Sequence, residues 1–504
     1  MGHKNESEPN QGRKRAVIEF SSPNLASEFT AAHFRSTIIG GQLANLFESR
    51  GWDVIRLNYL GDWGKQLGLL AVGWYRFGSE EDFQKNPMVH MLEVYEKIEE
   101  LFKPEKEASK RARDSGQDTA AIETQGIFAE RDSFFKRMEE GDPEAIALWR
   151  RIRDASVAYY TGMYAQLGIT FDEYSGESTV SPESIAKVES TLKEKGVCEE
   201  SEGSWILDFR KHCPKNLGTA IIRGRTGSTT YFLRDIAAVI DRDRKYGFDK
   251  MVYVVTSEQD SHFHRLFQTL KLMGREDLVA RLEHVNFGKI QGMSSQLPRV
   301  HLLGDILDHT TDSIRDTIGS GHGKSQYIPH SESSDRILSF TALIVQDGLT
   351  KRSNGYIFNT RKLTSLNGGT GLHMQECYAK LIARINEGAQ EPANSGDLEY
   401  AYLQNWPWLD VLRLLAQYPD VTSHAFRAEE PSLITTYLLR LVEELDNCLD
   451  DSDEDDEKAE EAGPAEPPGK EPPEACLAQL ALYKVARQVL GNGMAVLGIA
   501  PIAK

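Results

Sequence analysis

A strand, a turn and a helix follow one another near the start of the chain, and this order most restricts what the chain can fold into. Residues 17–20 predict a short buried strand, residues 21–24 a turn rich in capping residues, and residues 33–49 an amphipathic helix. Where a parallel strand is followed by a helix, backbone N–H groups and the helix dipole favour nucleotides and phosphates. The alternative is an ordinary βα unit without a ligand.

Strands and helices continue to alternate, which predicts an α/β fold with a parallel sheet. Strands are expected at residues 53–60, 250–256 and 284–287, and helices at 64–78, 230–244 and 260–273. Residues 79–176 predict a helical insertion, and residues 178–230 a small insertion with short strands. Residues 16–330 therefore predict one α/β domain with two inserted segments.

Helical periodicity dominates the rest of the chain, so residues 331–504 predict an all-α bundle. Apolar residues share one face in each of three segments: Trp408, Leu412 and Leu415; Ile434, Leu438, Leu441 and Leu445; and Leu477, Leu480 and Tyr483. Residues 450–474 are acidic and rich in proline, and they predict a flexible, disordered loop. Residues 1–15 are polar and predict a disordered tail.

Charge and cysteine content limit the function classes only weakly. The net charge is −18, but residues 450–474 hold twelve acidic residues and two lysines, which account for −10 of it. The remaining −8 does not exclude a nucleic-acid partner.

Five cysteines form no CxxC pair, which predicts a reducing compartment and no metal site. No apolar run approaches the roughly 18 residues of a membrane span, so we expect a cytoplasmic protein with no membrane partner.

Three segments carry a resemblance to a known family. Residues 19–24 (Glu-Phe-Ser-Ser-Pro-Asn), 35–41 (Arg-Ser-Thr-Ile-Ile-Gly-Gly) and 58–66 (Asn-Tyr-Leu-Gly-Asp-Trp-Gly-Lys-Gln) resemble the opening of arginyl-tRNA synthetase, a class I aminoacyl-tRNA synthetase. Residues 416–420 and 486–494 are similar to the anticodon-binding domain of the same family. The resemblance implies a Rossmann-type catalytic domain with insertions, followed by an all-α anticodon-binding-like bundle.

The resemblance also implies a pocket for an arginyl group. A guanidinium is planar and permanently charged, and it requires fixed carboxylates, while the other end of the amino acid requires further polar groups. The chain keeps the family's arginine-binding residues at six matching positions: Glu19, Asn24, Glu177, Tyr231, Asp235 and Gln259. A single carboxylate would more often be a surface charge, but six matches on four segments favour a binding site.

The residues that such a family uses for ATP are altered. Where the class I signature reads His-X-Gly-His, this chain has Thr30, Ala31, Ala32 and His33. The later KMSKS-type loop reads Gly-Met-Ser-Ser-Gln-Leu-Pro-Arg at residues 292–299 and lacks the expected basic pair. Such groups stabilise charge on the ATP α-phosphate. Lys289 or Arg299 could substitute for the missing cations.

This contrast between a retained arginine pocket and altered ATP residues leads us to expect an enzyme that uses activated arginine without ATP or another cofactor. The pattern is similar to fungal arginine-containing cyclodipeptide synthases, which would join Arg-tRNA and a second aminoacyl-tRNA into a diketopiperazine during natural product biosynthesis. His33 would act as a base and Thr30 as a hydrogen-bonding or acyl-accepting hydroxyl. We expect a monomer. The alternatives are an arginyl-tRNA synthetase and a non-catalytic regulator that binds arginine or tRNA.

Overall fold

The computed structural model divides the chain into two compact units. It describes residues 12–213, 217–225, 227–293, 302–319, 327–329, 331–363, 365, 368–388, 400–404, 406–461 and 473–502. The first unit comprises Lys14–Ser36 and Val54–Asn286, and the second comprises Met1–Arg13, Thr37–Asp53 and Phe287–Lys504. Within the described residues, no helix is both long and apolar enough to cross a bilayer.

The elements follow the chain in this order. The strands are β1 (Arg15–Glu19), β2 (Asp53–Leu60), β3 (Glu173–Gly176), β4 (Glu199–Ser201), β5 (Ser204–Asp208), β6 (Thr219–Arg223), β7 (Lys250–Thr256), β8 (Leu282–Phe287), β9 (Ile290–Gln291) and β10 (Tyr356–Ile357). The helices are α1 (Ala31–Ser49), α2 (Lys65–Phe77), α3 (Glu80–Lys85), α4 (Pro87–Asp114), α5 (Ala120–Glu123), α6 (Gly126–Glu139), α7 (Pro143–Gln166), α8 (Pro182–Glu194), α9 (Tyr231–Tyr246), α10 (Asp260–Leu272), α11 (Glu276–Val279), α12 (Leu303–Gly319), α13 (Glu332–Gly348), α14 (Thr360–Leu363), α15 (Gly371–Gly388), α16 (Trp408–Ala428), α17 (Ser432–Glu461) and α18 (Pro473–Leu497).

A five-stranded sheet organises the first unit, and its strand order is β3-β2-β1-β7-β8. β1 pairs in parallel with β7, and β2 pairs in parallel with β3. Ala16, Val17 and Ile18 of β1 are fully buried, as expected for a central strand covered on both faces. The chain leaves β1 in one direction and returns to its other side at β7, so the strand order reverses between these two strands. The predicted α/β fold with a parallel sheet is confirmed.

Residues 79–176 are mainly helical, and residues 178–230 contain a small separate sheet. In residues 79–176, Phe102 of α4 and Phe128 of α6 stack edge to face, and the Arg131 guanidinium lies 5.3 and 4.9 Å from their rings. In residues 178–230, β4, β5 and β6 form a three-stranded sheet whose paired strands are antiparallel. Leu207 and Phe209 from this segment join the hydrophobic core that includes Val17 of β1.

The second unit is mainly helical and contains the β9–β10 pair. The Gly288 N–H donates to the Arg352 carbonyl, and the Tyr356 N–H donates to the Lys289 carbonyl. These contacts assign the chain from Phe287 onward to the second unit, earlier than the predicted domain boundary at residue 330. The predicted acidic loop at 450–474 also differs, because α17 continues through Glu461; residues 462–472 lie outside the described residues.

A close backbone contact at Gly288 yields a first prediction. A Cβ at this position would lie 2.4 Å from the Asn354 carbonyl carbon and 2.4 Å from the Gly355 nitrogen. Gly288→Ala should therefore displace the β9–β10 pair and lower the free energy of unfolding by about 2 kcal/mol. Chemical denaturation measures the loss, and hydrogen exchange should accelerate at the Gly288 and Tyr356 amides.

Gly162 provides the matched control, because it lies inside α7 and a Cβ there has no heavy atom within 4 Å. Gly162→Ala should be neutral or stabilise by up to about 1 kcal/mol, since alanine is the better helix former. Equal effects of the two substitutions would contradict the assignment of a backbone clash at Gly288.

Candidate active site at the carboxyl edge of the sheet

The carboxyl ends of β1 and β7 meet where the strand order reverses, the position at which open α/β sheets bind ligands. The turn that follows β1 is strained, because Ser21, Ser22 and Ala26 have φ values of +69°, +50° and +47°. Residues other than glycine rarely adopt these values, and such outliers concentrate at functional sites. The strain makes this turn a candidate for ligand binding.

Hydrogen bonds to three other elements hold the strained turn, and one of these contacts continues to a fourth element. The Ser21 N–H donates to Ser36 Oγ at 2.8 Å, and the Ser36 hydroxyl donates to the Val254 carbonyl at 2.7 Å. The Ser22 N–H donates to Asn58 Oδ1 at 3.2 Å, and the Ser21 and Tyr164 hydroxyls lie 2.5 Å apart. The turn is therefore tied to α1, β7, β2 and α7.

Thr30 and His33 interact with each other at the start of α1. The Thr30 N–H donates to His33 Nδ1 at 3.1 Å, and Thr30 Oγ1 lies 3.2 Å from the same nitrogen. Burial lowers the pKa of His33 to about 4, and a hydrogen bond with the Glu28 backbone opposes this shift. His33 is therefore neutral at pH 7. Its Nδ1 lone pair, which the predicted general base would need, is already engaged by a backbone N–H.

Three of the predicted pocket residues are carboxylates that influence one another. Glu19 ends β1, Glu177 opens the 3₁₀ turn after β3, and Asp235 lies in the first turns of α9. Asp235 raises the pKa values of both Glu19 and Glu177. The structure thus brings these three residues together from separate segments, as the sequence analysis expects.

Two of the three carboxylates contact arginine side chains of the chain itself. Arg242 Nη2 lies 2.6 Å from Glu19 Oε2, and both side chains are buried. Arg234 Nε donates to Glu177 Oε2 at 2.7 Å, and Arg234 Nη1 donates to Thr229 Oγ1 at 2.8 Å. Arginine remains protonated in proteins, so three carboxylates face two internal guanidinium groups.

Asp235 is the third carboxylate, and its contacts differ from those of the other two. The Tyr59 hydroxyl donates to Asp235 Oδ1 at 3.3 Å, and His262 Nε2 lies 3.1 Å from Oδ2. Among the residues that the structure describes, no arginine or lysine pairs with Asp235. The ring of Tyr231, which is 58% exposed, lies 5.6 Å from the His262 ring. Asp235 can therefore accept a cationic ligand next to an exposed aromatic ring.

Burial dominates the electrostatics of the other two carboxylates. It raises the pKa of Glu19 to about 7, although Arg242 opposes the shift. It likewise raises the pKa of Glu177 to about 7 against the effect of Arg234. Both groups therefore change charge near neutral pH, where a perturbed pKa is a common feature of binding and catalytic sites.

The remaining two predicted pocket residues lie on the rim of this edge. Asn24 forms a parallel bridge with Gly61, and a Cβ at Gly61 would lie 1.8 Å from Asn24 Oδ1. Glycine at position 61 is thus required for the close approach of the Asn24 side chain. Gln259 is exposed and ends the 3₁₀ turn after β7. Its assignment to the pocket stays a prediction.

Several residues that shape the site were missed by the sequence analysis. Arg242 lies seven residues after Asp235, a spacing that places both on one face of α9 and could have pointed to it. Asp62 is fully buried and accepts from Arg153 Nε at 2.8 Å and from the Ser178 N–H at 2.9 Å. It thereby fixes the chain beside Glu177. Of the KMSKS-type loop, only Gly292 and Met293 are described; Arg299 lies outside the described residues.

Comparison with known families covers nearly the whole chain. The model for the catalytic domain of class I tRNA synthetases (R) matches residues 1–360. The model for the DALR anticodon binding domain matches residues 374–504. The predicted succession of a catalytic α/β domain and an all-α domain is confirmed.

Individual relatives agree with the family models. The chain is 41% identical to the cytoplasmic arginine–tRNA ligase of Saccharomyces cerevisiae over 494 residues, which is 97% of this chain and 76% of the relative. It is 34% identical to the probable mitochondrial arginine–tRNA ligase of Homo sapiens over 98% of this chain and 78% of the relative.

Solved structures show the same fold. The arginyl-tRNA synthetase of Plasmodium falciparum superposes with a TM-score of 0.73 at 20% identity, covering 99% of this chain and 78% of that one. The arginyl-tRNA synthetase of Thermus thermophilus superposes with a TM-score of 0.71 at 17% identity, covering 98% and 84%.

These relatives correct the predicted reaction. The expectation of a cyclodipeptide synthase that makes a diketopiperazine in natural product biosynthesis is wrong, because the relatives that match 97–98% of the chain at 34–41% identity are arginine–tRNA ligases. The expected partner, a second aminoacyl-tRNA, is withdrawn for the same reason.

The raised pKa of Glu19 leads to a prediction about stability. The folded state binds this proton up to about pH 7, whereas an unfolded glutamate releases it near pH 4.5. The free energy of unfolding that Glu19 contributes should therefore be highest below pH 4.5, and it should fall as the pH rises through 7, by on the order of 1 kcal/mol per pH unit. Denaturation of the wild type and of Glu19→Gln between pH 5 and pH 8 measures this.

Glu173 is the matched control, because its pKa is lowered and it pairs with exposed Lys245. Between pH 5 and pH 8, Glu173→Gln should give the same slope of the free energy of unfolding against pH as the wild type. Glu19→Gln should make that slope less negative. Parallel curves for the wild type and Glu19→Gln would rule out the titration assigned to Glu19.

Proposed function

The chain belongs to the arginyl-tRNA synthetase family of class I synthetases, and we propose from this membership that it is an arginine–tRNA ligase. Such an enzyme activates arginine with ATP and transfers it to tRNA. The domain order and the identity of 34–41% to arginine–tRNA ligases support the proposal. The names of these relatives include both cytoplasmic and mitochondrial forms, and we keep the cytoplasm as the proposed location.

The charge balance of the pocket is the observation that supports arginine as the substrate. Glu19 and Glu177 contact Arg242 and Arg234, and Asp235 is left as the carboxylate for one additional guanidinium. A carboxylate presents two oxygens to the paired N–H groups of a guanidinium, a fit that the ammonium of lysine cannot reproduce. The pocket is therefore suited to free arginine.

The reaction would proceed in two steps at this edge of the sheet. An oxygen of the arginine carboxylate attacks the ATP α-phosphorus, the bond to the β-phosphate oxygen breaks, and pyrophosphate leaves. A ribose hydroxyl at the tRNA end then attacks the activated carbonyl carbon, loses its proton, and AMP leaves with the bonding electron pair. We assign tRNA as the partner of the helical domain, which matches the anticodon-binding model.

The turn after β1 would contribute positioning and hydrogen bonds to the first step. His33 is neutral, and since its Nδ1 accepts from a backbone N–H, its proton resides on Nε2. A neutral imidazole of this kind adds no positive charge near a phosphate. Together with Thr30 in place of the first signature histidine, this predicts slower activation than in relatives with an intact signature.

Two assays test the proposed function. Purified protein should exchange labelled pyrophosphate into ATP and should attach labelled arginine to tRNA, in both cases only when arginine is present. Asp235→Asn should raise the KM for arginine by about a hundredfold, since it removes a charged hydrogen-bond partner. Binding of arginine and tRNA with neither exchange nor charging would contradict the proposal and would instead favour the non-catalytic regulator.

The altered signature gives a prediction of its own. Thr30→His combined with Ala32→Gly should raise the rate of pyrophosphate exchange by about tenfold to a hundredfold. The histidine supplies a donor to the α-phosphate, and the glycine removes a methyl group from the approach of the nucleotide. Thr30→Ala combined with Ala32→Gly is the matched control and should not reproduce the gain. An unchanged rate in the first variant would show that Thr30 and Ala32 do not limit activation.

A further inference from the structure

Arg242 is a buried residue that contacts one pocket carboxylate, Glu19, directly and a second, Asp235, through Tyr59. Its guanidinium carbon lies 4.4 Å from the centroid of the Tyr59 ring and 5.8 Å from that of Tyr253. The same guanidinium lies 2.6 Å from Glu19 Oε2. Cation–π contacts of this kind orient aromatic rings, and they are strongest when the groups are desolvated.

The contact with Tyr59 extends to Asp235. The Tyr59 hydroxyl donates to Asp235 Oδ1, so the chain of contacts runs from Glu19 to Arg242, then to Tyr59, and then to Asp235. Asp235 and Arg242 also lie two turns apart on α9. The buried side chain of Arg242 therefore influences the positions of both Glu19 and Asp235.

The ion pair of Glu19 and Arg242 leaves one carboxylate oxygen without an aligned hydrogen bond. The two groups are in ionic contact, but among the described residues no donor is aligned with Glu19 Oε2 as a hydrogen bond requires. A buried carboxylate oxygen of this kind retains acceptor capacity, and its desolvation makes an incoming N–H donor favourable. The ion pair holds Glu19 in place.

We propose that Arg242 is a positioning residue of the arginine pocket, which favours the ionised form of Glu19 and orients Asp235 through Tyr59. The inference deepens the proposed function and rests on it. Arg242 itself does not touch the substrate; it acts through the two carboxylates. Losing it should therefore weaken arginine binding and change the pH dependence of that binding, while the affinity for ATP stays the same.

The pH dependence follows from the groups around Glu19. The titratable and charged side chains that act on it or are influenced by it are Arg242, Asp235 and Tyr246 from α9, His262 from α10, Tyr59 from β2 and Tyr253 from β7. Of these, Arg242 is the largest influence that lowers the pKa of Glu19. Without Arg242, Glu19 would be protonated at neutral pH and would ionise only in more alkaline solution.

Direct binding of arginine by isothermal titration calorimetry tests the proposal and does not depend on ATP chemistry. For Arg242→Met, the Kd for arginine divided by that of the wild type should exceed about ten at pH 7, the loss expected when a charged partner is removed. The ratio should shrink as the pH rises toward 9. For the double variant Glu19→Gln/Arg242→Met, the ratio should be large and should not shrink toward pH 9, because position 19 no longer carries a carboxylate that can ionise.

Two further variants complete the test. Arg242→Lys keeps a cation beside Glu19 and should preserve the pH dependence of the wild type, with a Kd intermediate between wild type and Arg242→Met. It also replaces Arg242→Met if that variant does not fold. Arg275→Met is the matched control: Arg275 precedes α11 and pairs at 2.8 Å with Asp243, which lies on α9 next to Arg242, and the Kd for arginine should stay within about twofold of the wild type.

The outcomes separate the two proposals. Absence of arginine binding in the wild type would overturn the proposed function. Binding in the wild type, combined with an unchanged Kd in Arg242→Met, would overturn only the positioning role. A pH-independent ratio in Arg242→Met would do the same, and so would an effect of Arg275→Met as large as that of Arg242→Met.

Discussion

The ion pair between Glu19 and Arg242 stabilises a buried carboxylate at the carboxyl end of the central strand. An isolated buried carboxylate would cost several kcal/mol and would be protonated at neutral pH. Arg242 offsets this cost with a permanent positive charge, and Tyr59 and Tyr253 flank that charge with their rings. The strand order places this pair beside β7, at the point of reversal where open α/β sheets bind ligands. The remaining pocket residues are arranged around it.

The second ion pair extends the same principle to the neighbouring strand. Glu177 follows β3, and Arg234 reaches it from α9 while also bonding Thr229. Asp62 is buried beneath this segment, and a Cβ at Gly176 would lie 2.3 Å from its Oδ1 atom. Close packing therefore fixes where Glu177 can lie. Because two internal guanidinium groups contact two of the carboxylates, Asp235 is the acidic group that we propose binds a ligand of the same chemistry.

Much of the fold was predictable because its signals are local. The strands at 53–60 and 250–256 are read directly from apolar runs, and the helix at 260–273 from its periodicity. The three carboxylates of the site could be named from the family resemblance. Their internal partners could not, since Arg234 and Arg242 contact residues 57 and 223 positions away in sequence. The acidic segment from residue 450 read as a loop because its composition is polar, yet α17 continues to Glu461.

The prediction of the reaction was wrong for a different reason. We inferred it from four residues of one signature and from a short loop, although the resemblance to arginyl-tRNA synthetases extends over the whole chain. Thr30 and His33 are hydrogen-bonded to each other, and this local arrangement does not identify a new chemistry. The similarity to arginine–tRNA ligases spans 97% of the chain, so it carries the greater weight.

A crystal structure of the protein with bound L-arginine would show which carboxylate binds the ligand. We expect the ligand guanidinium to lie within about 3 Å of the Asp235 carboxylate, while Glu19 stays in contact with Arg242 and Glu177 with Arg234. A ligand guanidinium that displaces Arg242 or Arg234 from its carboxylate, or that binds away from Asp235, would contradict this expectation.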